Sequence, residues 1–499
     1  MKTFKSIIAI LSAAAVLASC SLVEDNERTT KQADFYKTTA QCRAALNGCY
    51  IPLTSIYSLA YMIAVEGTSD VASTDGSAQK DAKLDINPNS TGCGNNVWQQ
   101  CYIGVRNCNA VIECSQRSEM SAKEIAPIIA EAKVLRAYYY YLLTSFFGNV
   151  PFYEDYIETE DKLVEIGRLP RMDANATRAT LVKELRECCP DLDQVRTCDI
   201  RNSEGECMNY AGAAMGWMVM AKLAAWNKDW NSVIEAVGHL ESIYGLLSDY
   251  PLSDIPFCMK NTPESIFEIQ HTYTPGGLSK TSSIACVCMP YPRTAGTNNY
   301  NGVPVDYLGD QATTYAPLRP TSYYTNSIMP EKDPDLRRDY NLAVSWKDLK
   351  FSRIWMGIKF WCPNLYITND SNNQKVFRYA DALLLKSEAL CELGSYTESL
   401  KYLNMTKSRA EANLYTKFRS QVKLMDEIRK ERARELFGEF QRKFDLVRWG
   451  IWYSQVCSYN TYSVVQNNIR PCHEYYPIPD SQVMASGGAL DNKAYESGE

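Results

Sequence analysis

Histidine is scarce in this chain. There are three in 499 residues, at 239, 271 and 473, far apart and without ligand partners at helical spacing. His473-Glu474 runs into Tyr-Tyr-Pro rather than along a helix, which excludes a zinc-protease motif. Paired C-x-x-C spacings are missing too, despite 18 cysteines; the close pairs are Cys188-Cys189 and Cys286-Val287-Cys288. There is no G-x-S-x-G elbow, P-loop or G-x-G-x-x-G. Asp70/Asp75 and Asp333/Asp335 lack the remaining ligands of a calcium loop, so no metal site is expected. The chain has no Lys/Arg stripe and a net charge of −6, which argues against nucleic acid. Beyond residue 20 no apolar run approaches membrane-spanning length.

The apolar run that does exist is at the start. Residues 1–20 read MKTFKSIIAILSAAAVLASC: Lys2 and Lys5, then a run from Ile7 to Ala18, then Leu17-Ala18-Ser19-Cys20. That order fits a secretory signal whose h-region ends at a lipoprotein processing site. Cys20 would accept diacylglycerol and become an acylated N-terminus, and several chains on one residue anchor firmly. The plainer alternative is an ordinary secretory signal with a chance cysteine. Losing residues 1–19 removes Lys2 and Lys5 and moves the net charge from −6 to −8. The expected organisation is a signal peptide at 1–19, a polar tether at 20–36, and one domain over 37–499.

That domain reads as mainly α. Helical periodicity predicts helices over 37–51, 97–116, 122–147, 175–189, 208–245, 375–413 and 422–440. Cys42/Cys49 and Cys101/Cys108, each seven apart, would lie about 10 Å apart along a helix, beyond disulfide reach, and so read as small core residues. Lys222–Trp230 (KLAAWNKDW) repeats the pattern of Glu388–Tyr396 (EALCELGSY): a small-residue helix, a polar turn, and an aromatic opening a second helix. This is a tetratricopeptide-like hairpin, with 97–147 a weaker third copy; two unrelated hairpins is the alternative. Residues 247–374 differ, being rich in Pro, Gly, Asn, Ser and Tyr, with short β signals at Ser265–His271 and Ser352–Phe360. The fold class is therefore helical hairpins forming a scaffold, with long loop-rich insertions containing short strands. Glu427, Glu431, Glu435 and Glu439 interleave with Arg429, Arg432, Arg434 and Arg442, and the Glu431/Arg434 and Glu439/Arg442 spacings read as structural ion pairs.

The C-terminal half carries specific motifs. Residues 378–413 read RYADALLLKSEALCELGSYTESLKYLNMTKSRAEAN, residues 427–450 read EIRKERARELFGEFQRKFDLVRWG, and YYPIP follows at 475–479. Upstream lie Ala44-Leu46-Asn47-Gly48-Tyr50, Arg136-Ala137-Tyr138, Gly148-Asn149-Val150-Pro151 and Asp333-Pro334-Asp335-Leu336-Arg337. This set resembles the SusD/RagB family of outer-membrane lipoproteins from the Bacteroidetes, over nearly the whole chain. The departures are the cysteine load, Lys407 in place of the usual Arg, and Gln441. The resemblance implies family halves at about 37–225 and 226–499, with the loop-rich ligand side at about 247–374. It implies a binding protein rather than an enzyme, lipid-anchored through Cys20 on the outer face of the outer membrane, with Glu24-Asp25 resembling an export signal. It implies an oligosaccharide ligand passed to a TonB-dependent, SusC-like transporter, or a peptide as in the RagB branch, with no catalytic residue or cofactor. A lipid-anchored hydrolase is the third reading, since 58 acids offer many pairs and nothing singles one out.

A glycan site needs aromatic faces for sugar C–H surfaces and fixed polar groups for hydroxyls. The loop at 66–98 supplies Asp70, Asp75, Asn95, Asn96 and Trp98. The loop at 273–324 supplies Tyr291, Arg293, Asn298, Asn299, Tyr300, Asp306, Tyr307 and Tyr315. The expected ligand set is Asp70, Asp75, Asn96, Trp98, Tyr291, Arg293, Asn299, Tyr300, Tyr307 and Tyr315.

Overall fold

The structure, a computed structural model, describes residues 35–74, 79–274, 277, 279–290, 313–346, 349–363 and 365–497. Its first helix, α1 (Thr39–Asn47), opens on a capping box in which Thr38 and Gln41 exchange side-chain-to-backbone hydrogen bonds. The single helix expected over 37–51 is broken after Asn47: a turn through Gly48–Tyr50 leads into α2 (Ile51–Ile56), followed by α3 (Leu59–Glu66). Cys49 sits in that turn and is buried, as are Cys42, Cys101 and Cys108. All seventeen cysteines beyond Cys20 are thiols.

Long helices then run as hairpins. α4 (Gly94–Gln116) packs along α5 (Ala122–Phe147), which starts at a Ser121/Glu124 capping box and stops at Gly148, φ +70°. α6 (Ala174–Cys188) lies against α5 and against α7 (Ala213–Trp226), which turns back as α8 (Trp230–Tyr244). In the other half α9 (Tyr379–Glu392) pairs with α10 (Tyr396–Arg409) and α11 (Gln421–Glu435), and α8 packs on α9. No single described helix is long and apolar enough to cross a membrane.

The repeat read in the sequence is real at the level of individual hydrogen bonds. In the α7–α8 turn Lys228 N donates to Ala225 O (3.2 Å) and Asp229 N to Ala224 O (2.9 Å). In the α9–α10 turn Gly394 N donates to Cys391 O (3.2 Å) and Ser395 N to Leu390 O (2.8 Å). The left-handed residue falls at the same place in both, Lys228 at φ +57° and Gly394 at φ +79°. These turns cap two helices alike and aim the next helix back along each.

Among the described residues six strands form three antiparallel pairs. β1 (Ala72–Thr74) pairs with β3 (Leu318–Pro320), β2 (Ser265–Ile269) with β6 (Gln374–Arg378), and β4 (Leu342–Trp346) with β5 (Leu349–Met356). Residues 375–378, expected within a helix, are strand: β2 supplies a ladder for their backbone, and all of β6 is buried. The β signal at 352–360 is displaced, ending at Met356 and giving way to a 3₁₀ turn at Ile358–Phe360.

Between the hairpins and strands lies a buried ion network. Arg378 bonds Glu264 (2.9 Å), Glu435 (3.0 Å) and Glu439 (2.7 Å). Arg337 bonds Asp335, Glu431 and Glu435 at 2.7–3.0 Å. Glu431 also holds Arg434 (2.9 Å), as its spacing predicts. Glu439 does not hold Arg442: it takes Arg378 and Lys359 instead, and Arg442, at the start of α12 (Arg442–Arg448), turns to Asp70. Arg378, Arg337 and Glu435 each have several opposite partners, which offsets their desolvation.

The apolar interior is divided unequally. A large core fills the helical scaffold. A small one, of Ala285, Met289, Ala316, Phe351, Trp355, Trp361 and Leu365 among others, lies under the loop-rich side and supports it.

Candidate functional site

The two loop segments singled out in the sequence are joined by a ladder three residues long. Ala72 pairs with Pro320, Ser73 with Arg319 and Thr74 with Leu318. Thr321 tightens the junction: its N–H donates to Val71 O (2.9 Å) and its hydroxyl to Asp70 O (2.6 Å). From the other side Asn460 Nδ2 donates to Gly67 O and Ser69 O (both 3.1 Å), and Trp452 Nε1 to Thr68 O (2.9 Å). The turn at 67–73 is thus clamped between β3 and residues 452–460.

A cleft of about 490 Å³ opens at this junction, lined by Ser73, Arg319, Ser322, Arg353, Thr461 and Tyr462 with their neighbours. Tyr323 and Tyr459 stack beside each other, centroids 3.7 Å apart and planes 12° from parallel. Burial, then the Asp70 carboxylate and Tyr459, push the Tyr323 phenol up to about 12, so it stays protonated. Trp355 in the small core lies under both guanidiniums, Arg319 at 5.1 Å and Arg353 at 5.6 Å from its ring centroid.

The same small core supports a tyrosine patch. Tyr315 is 58% exposed, and its N–H and that of Ala316 donate to Cys286 O (2.9 and 3.0 Å). Thr313 N donates to Ile367 O (2.7 Å), tying this strip to the turn that bears Tyr366. Tyr366 is 41% exposed and stacks on Tyr273, centroids 6.0 Å apart. Since Ala316 and Leu365 are core residues, their neighbours Tyr315 and Tyr366 are held on backbone that cannot move independently. Aromatic rings, hydroxyls and guanidiniums on rigid supports are what recognition of a hydroxylated ring requires.

The expected residues fall unevenly on this face. Tyr315 is on it. Asp70 is withdrawn as a ligand contact: it is fully buried and accepts from Arg442 Nε (2.8 Å) and Nη2 (2.7 Å), which leaves it no surface. Asn96 is half-buried and donates to Ser55 O (2.8 Å). Asn95 is exposed at the start of α4, its side chain accepting from Gln99 (3.3 Å). Trp98, 4% exposed and edge-on to Phe147, borders a different cleft of about 370 Å³ with Tyr102, Arg106 and Tyr153, which shares no lining residue with the first. Asp75, Tyr291, Arg293, Asn298, Asn299, Tyr300, Asp306 and Tyr307 lie outside the described residues, as does Cys20. Sequence reasoning missed Arg319, Arg353, Tyr366, Tyr459 and Tyr462. The polar Ser352-Arg353 inside the apolar run of β5 was the available signal.

Comparison with known proteins agrees with this architecture. The family model described as "Starch-binding associating with outer membrane" matches residues 23–197, and the model of the SusD family matches 363–495. SusD-like protein P25 of Formosa agariphila is 24% identical over 96% of this chain and 95% of its own. A SusD homologue of Bacteroides thetaiotaomicron superposes with a TM-score of 0.75 at 19% identity, covering 93% of this chain and 99% of that one. Surface glycan-binding protein A of the same species, solved in complex with laminarihexaose, gives 0.66 at 20% identity, covering 91% and 98%. With its paired helical hairpins, its loop-rich face and these two matches at opposite ends of the sequence, the chain belongs to the SusD/RagB family.

Proposed function

We propose that this protein captures oligosaccharide at the cell surface and passes it to a TonB-dependent, SusC-like transporter. The observation that carries the reading is the β1–β3 junction, which draws two distant loop segments into one face bearing Tyr315, Tyr366 and the arginine cleft. Such a rigid frame lowers the ordering entropy that opposes binding. Each aromatic contact would contribute on the order of 1 kcal/mol beyond burial, so a single site is weak, and enclosure by the transporter would raise the effective affinity. The laminarihexaose complex of the structural relative supports a glycan ligand. The remainder of the expected set, Asp75, Tyr291, Arg293, Asn299, Tyr300 and Tyr307, belongs to the same segments and is proposed to complete the face, with Trp98 and Asn96 at a separate edge.

Acylation at Cys20 would anchor the protein on the outside of the outer membrane, and capture without catalysis is the proposed role. Screening purified protein against plant and host glycans beside a peptide pool tests the ligand class. Glycan binding is expected; binding of peptides alone would favour the RagB-like reading. Reproducible turnover abolished by one Asp or Glu substitution would overturn the non-catalytic role. Gentle extraction under native expression should recover a large barrel protein with this chain, and recovery of the chain alone would contradict the transporter partnership.

A further inference from the structure

The cleft that Trp98 borders, about 370 Å³ in volume, lies on the helical scaffold, where α4 meets the segment after Pro151 and the helix Glu160–Gly167. Its floor is aromatic. Tyr102 and Tyr153 stack with ring centroids 6.2 Å apart and planes 8° from parallel, and Trp98 tilts against Tyr102 at 5.0 Å. Tyr102 is held in place by its hydroxyl, which donates to Pro151 O (2.8 Å). Ile103, Leu163 and Ile166 form apolar walls, and the first two are exposed. An apolar, aromatic-lined hollow of this volume with a few polar groups is how small-ligand sites are built.

Two polar groups interrupt the apolar lining, and the fold uses neither. Tyr153 is only 7% exposed. Its backbone N–H and C=O both bond the Tyr140 hydroxyl, but its own hydroxyl has no hydrogen-bond partner among the described residues. A hydroxyl this enclosed ordinarily has one. Arg106 lines the same cleft from an exposed position and makes no ion pair or hydrogen bond among the described residues. The two groups feel each other: burial pushes the Tyr153 phenol up to about 12, and the Arg106 guanidinium opposes that rise. None of the described residues lining the cleft is acidic.

We propose that this cleft is a separate binding site for a small aromatic carboxylate. The ring lies against Trp98 and Tyr102, between the apolar walls, and the carboxylate accepts from the Tyr153 hydroxyl and the Arg106 guanidinium. An oxyanion answers both groups at once: a guanidinium only donates, and a protonated phenol has a hydrogen to give. Charge-assisted hydrogen bonds are about twice as strong as neutral ones, so a neutral acceptor of the same shape gains less here. A planar fork of N–H donors also fits a carboxylate better than a point charge does. The inference does not depend on the glycan face and stands or falls without it.

The test titrates the purified protein with benzoate, hydrocinnamate and naphthoate, each beside its primary amide, and with cyclohexanecarboxylate beside benzoate. At least one acid should bind about tenfold or more tightly than its amide. Arg106→Gln should erase that preference, Arg106→Lys should keep part of it, and Lys183→Gln on α6 should leave it intact. Tyr153→Phe should weaken the acid severalfold with thermal unfolding unchanged, because the hydroxyl it removes bonds nothing in the fold. Equal binding of acid and amide overturns the inference. So does wild-type preference in Arg106→Gln, wild-type acid affinity in Tyr153→Phe, or absence of binding by all three acids. Cyclohexanecarboxylate bound as tightly as benzoate overturns the aromatic assignment. Each of these outcomes leaves the glycan reading untouched, since the two clefts share no lining residue.

Discussion

Asp70 and Arg442 form a two-bond ion pair, Nε and Nη2 each donating to one carboxylate oxygen at 2.8 and 2.7 Å, across 372 residues of sequence. Asp70 is wholly buried, and Arg442 also donates to Arg429 O (3.0 Å). The pair fastens the 67–73 turn, whose Ser73 lines the arginine cleft, to the start of α12.

Asp70→Ala is therefore expected to act on stability, not on ligand contact. It leaves a buried guanidinium without its carboxylate, at a cost of about 3–5 kcal/mol. Denaturant unfolding should show the loss, and weakened glycan binding with unchanged stability would contradict the structural role.

The paired turns make a reciprocal prediction. Lys228 and Gly394 occupy equivalent left-handed positions, and nothing lies within 4 Å of a Cβ built on Gly394. Gly394→Ala should cost about 1 kcal/mol through backbone strain alone, and Lys228→Gly should gain a similar amount. Thermal unfolding of the two variants should move in opposite directions.

Acid sensitivity follows from the ion network. Burial opposes ionisation of Glu435, but Arg409, Arg378 and Arg337 outweigh it and hold its pKa down to about 2. The folded state thus binds this proton less readily than the unfolded chain. The stability it lends is complete above the ordinary glutamate range and is lost as pH falls through it toward 2. Glu66 has the opposite sign: burial raises it to about 7 despite N–H donation from Gln441 and Arg442. Stability should decline as pH rises from about 4.5 to 7, and Glu66→Gln should flatten that segment of the curve. An unaltered slope in that variant would contradict the assignment.

Much of the scaffold was legible because helices announce themselves locally. The capping residues of α5, the Gly148 stop and the 222–230/388–396 repeat are all written in adjacent residues. The face was legible only as loop composition. Its organising contact, Ser73 opposite Arg319, joins two strands of three residues each, too short for any periodicity, and the two residues are 246 positions apart. The Glu439/Arg442 spacing misled for a related reason: both side chains are buried among stronger partners brought from elsewhere, so proximity along the helix did not decide the pairing. Asp70 looked like a ligand carboxylate because a polar loop residue carries no mark of its burial.

The central claim is that the loop-rich face binds glycan through its exposed rings. Its most direct test is the affinity of Tyr315→Ala/Tyr366→Ala for whichever glycan the wild-type protein binds. Both side chains lie at exposed positions, so unfolding should change by no more than about 0.5 kcal/mol per site. Each lost ring should weaken binding by about 1 kcal/mol, roughly fivefold, giving a combined loss of about 25-fold. A double variant that binds as tightly as wild type would place the glycan elsewhere on the molecule.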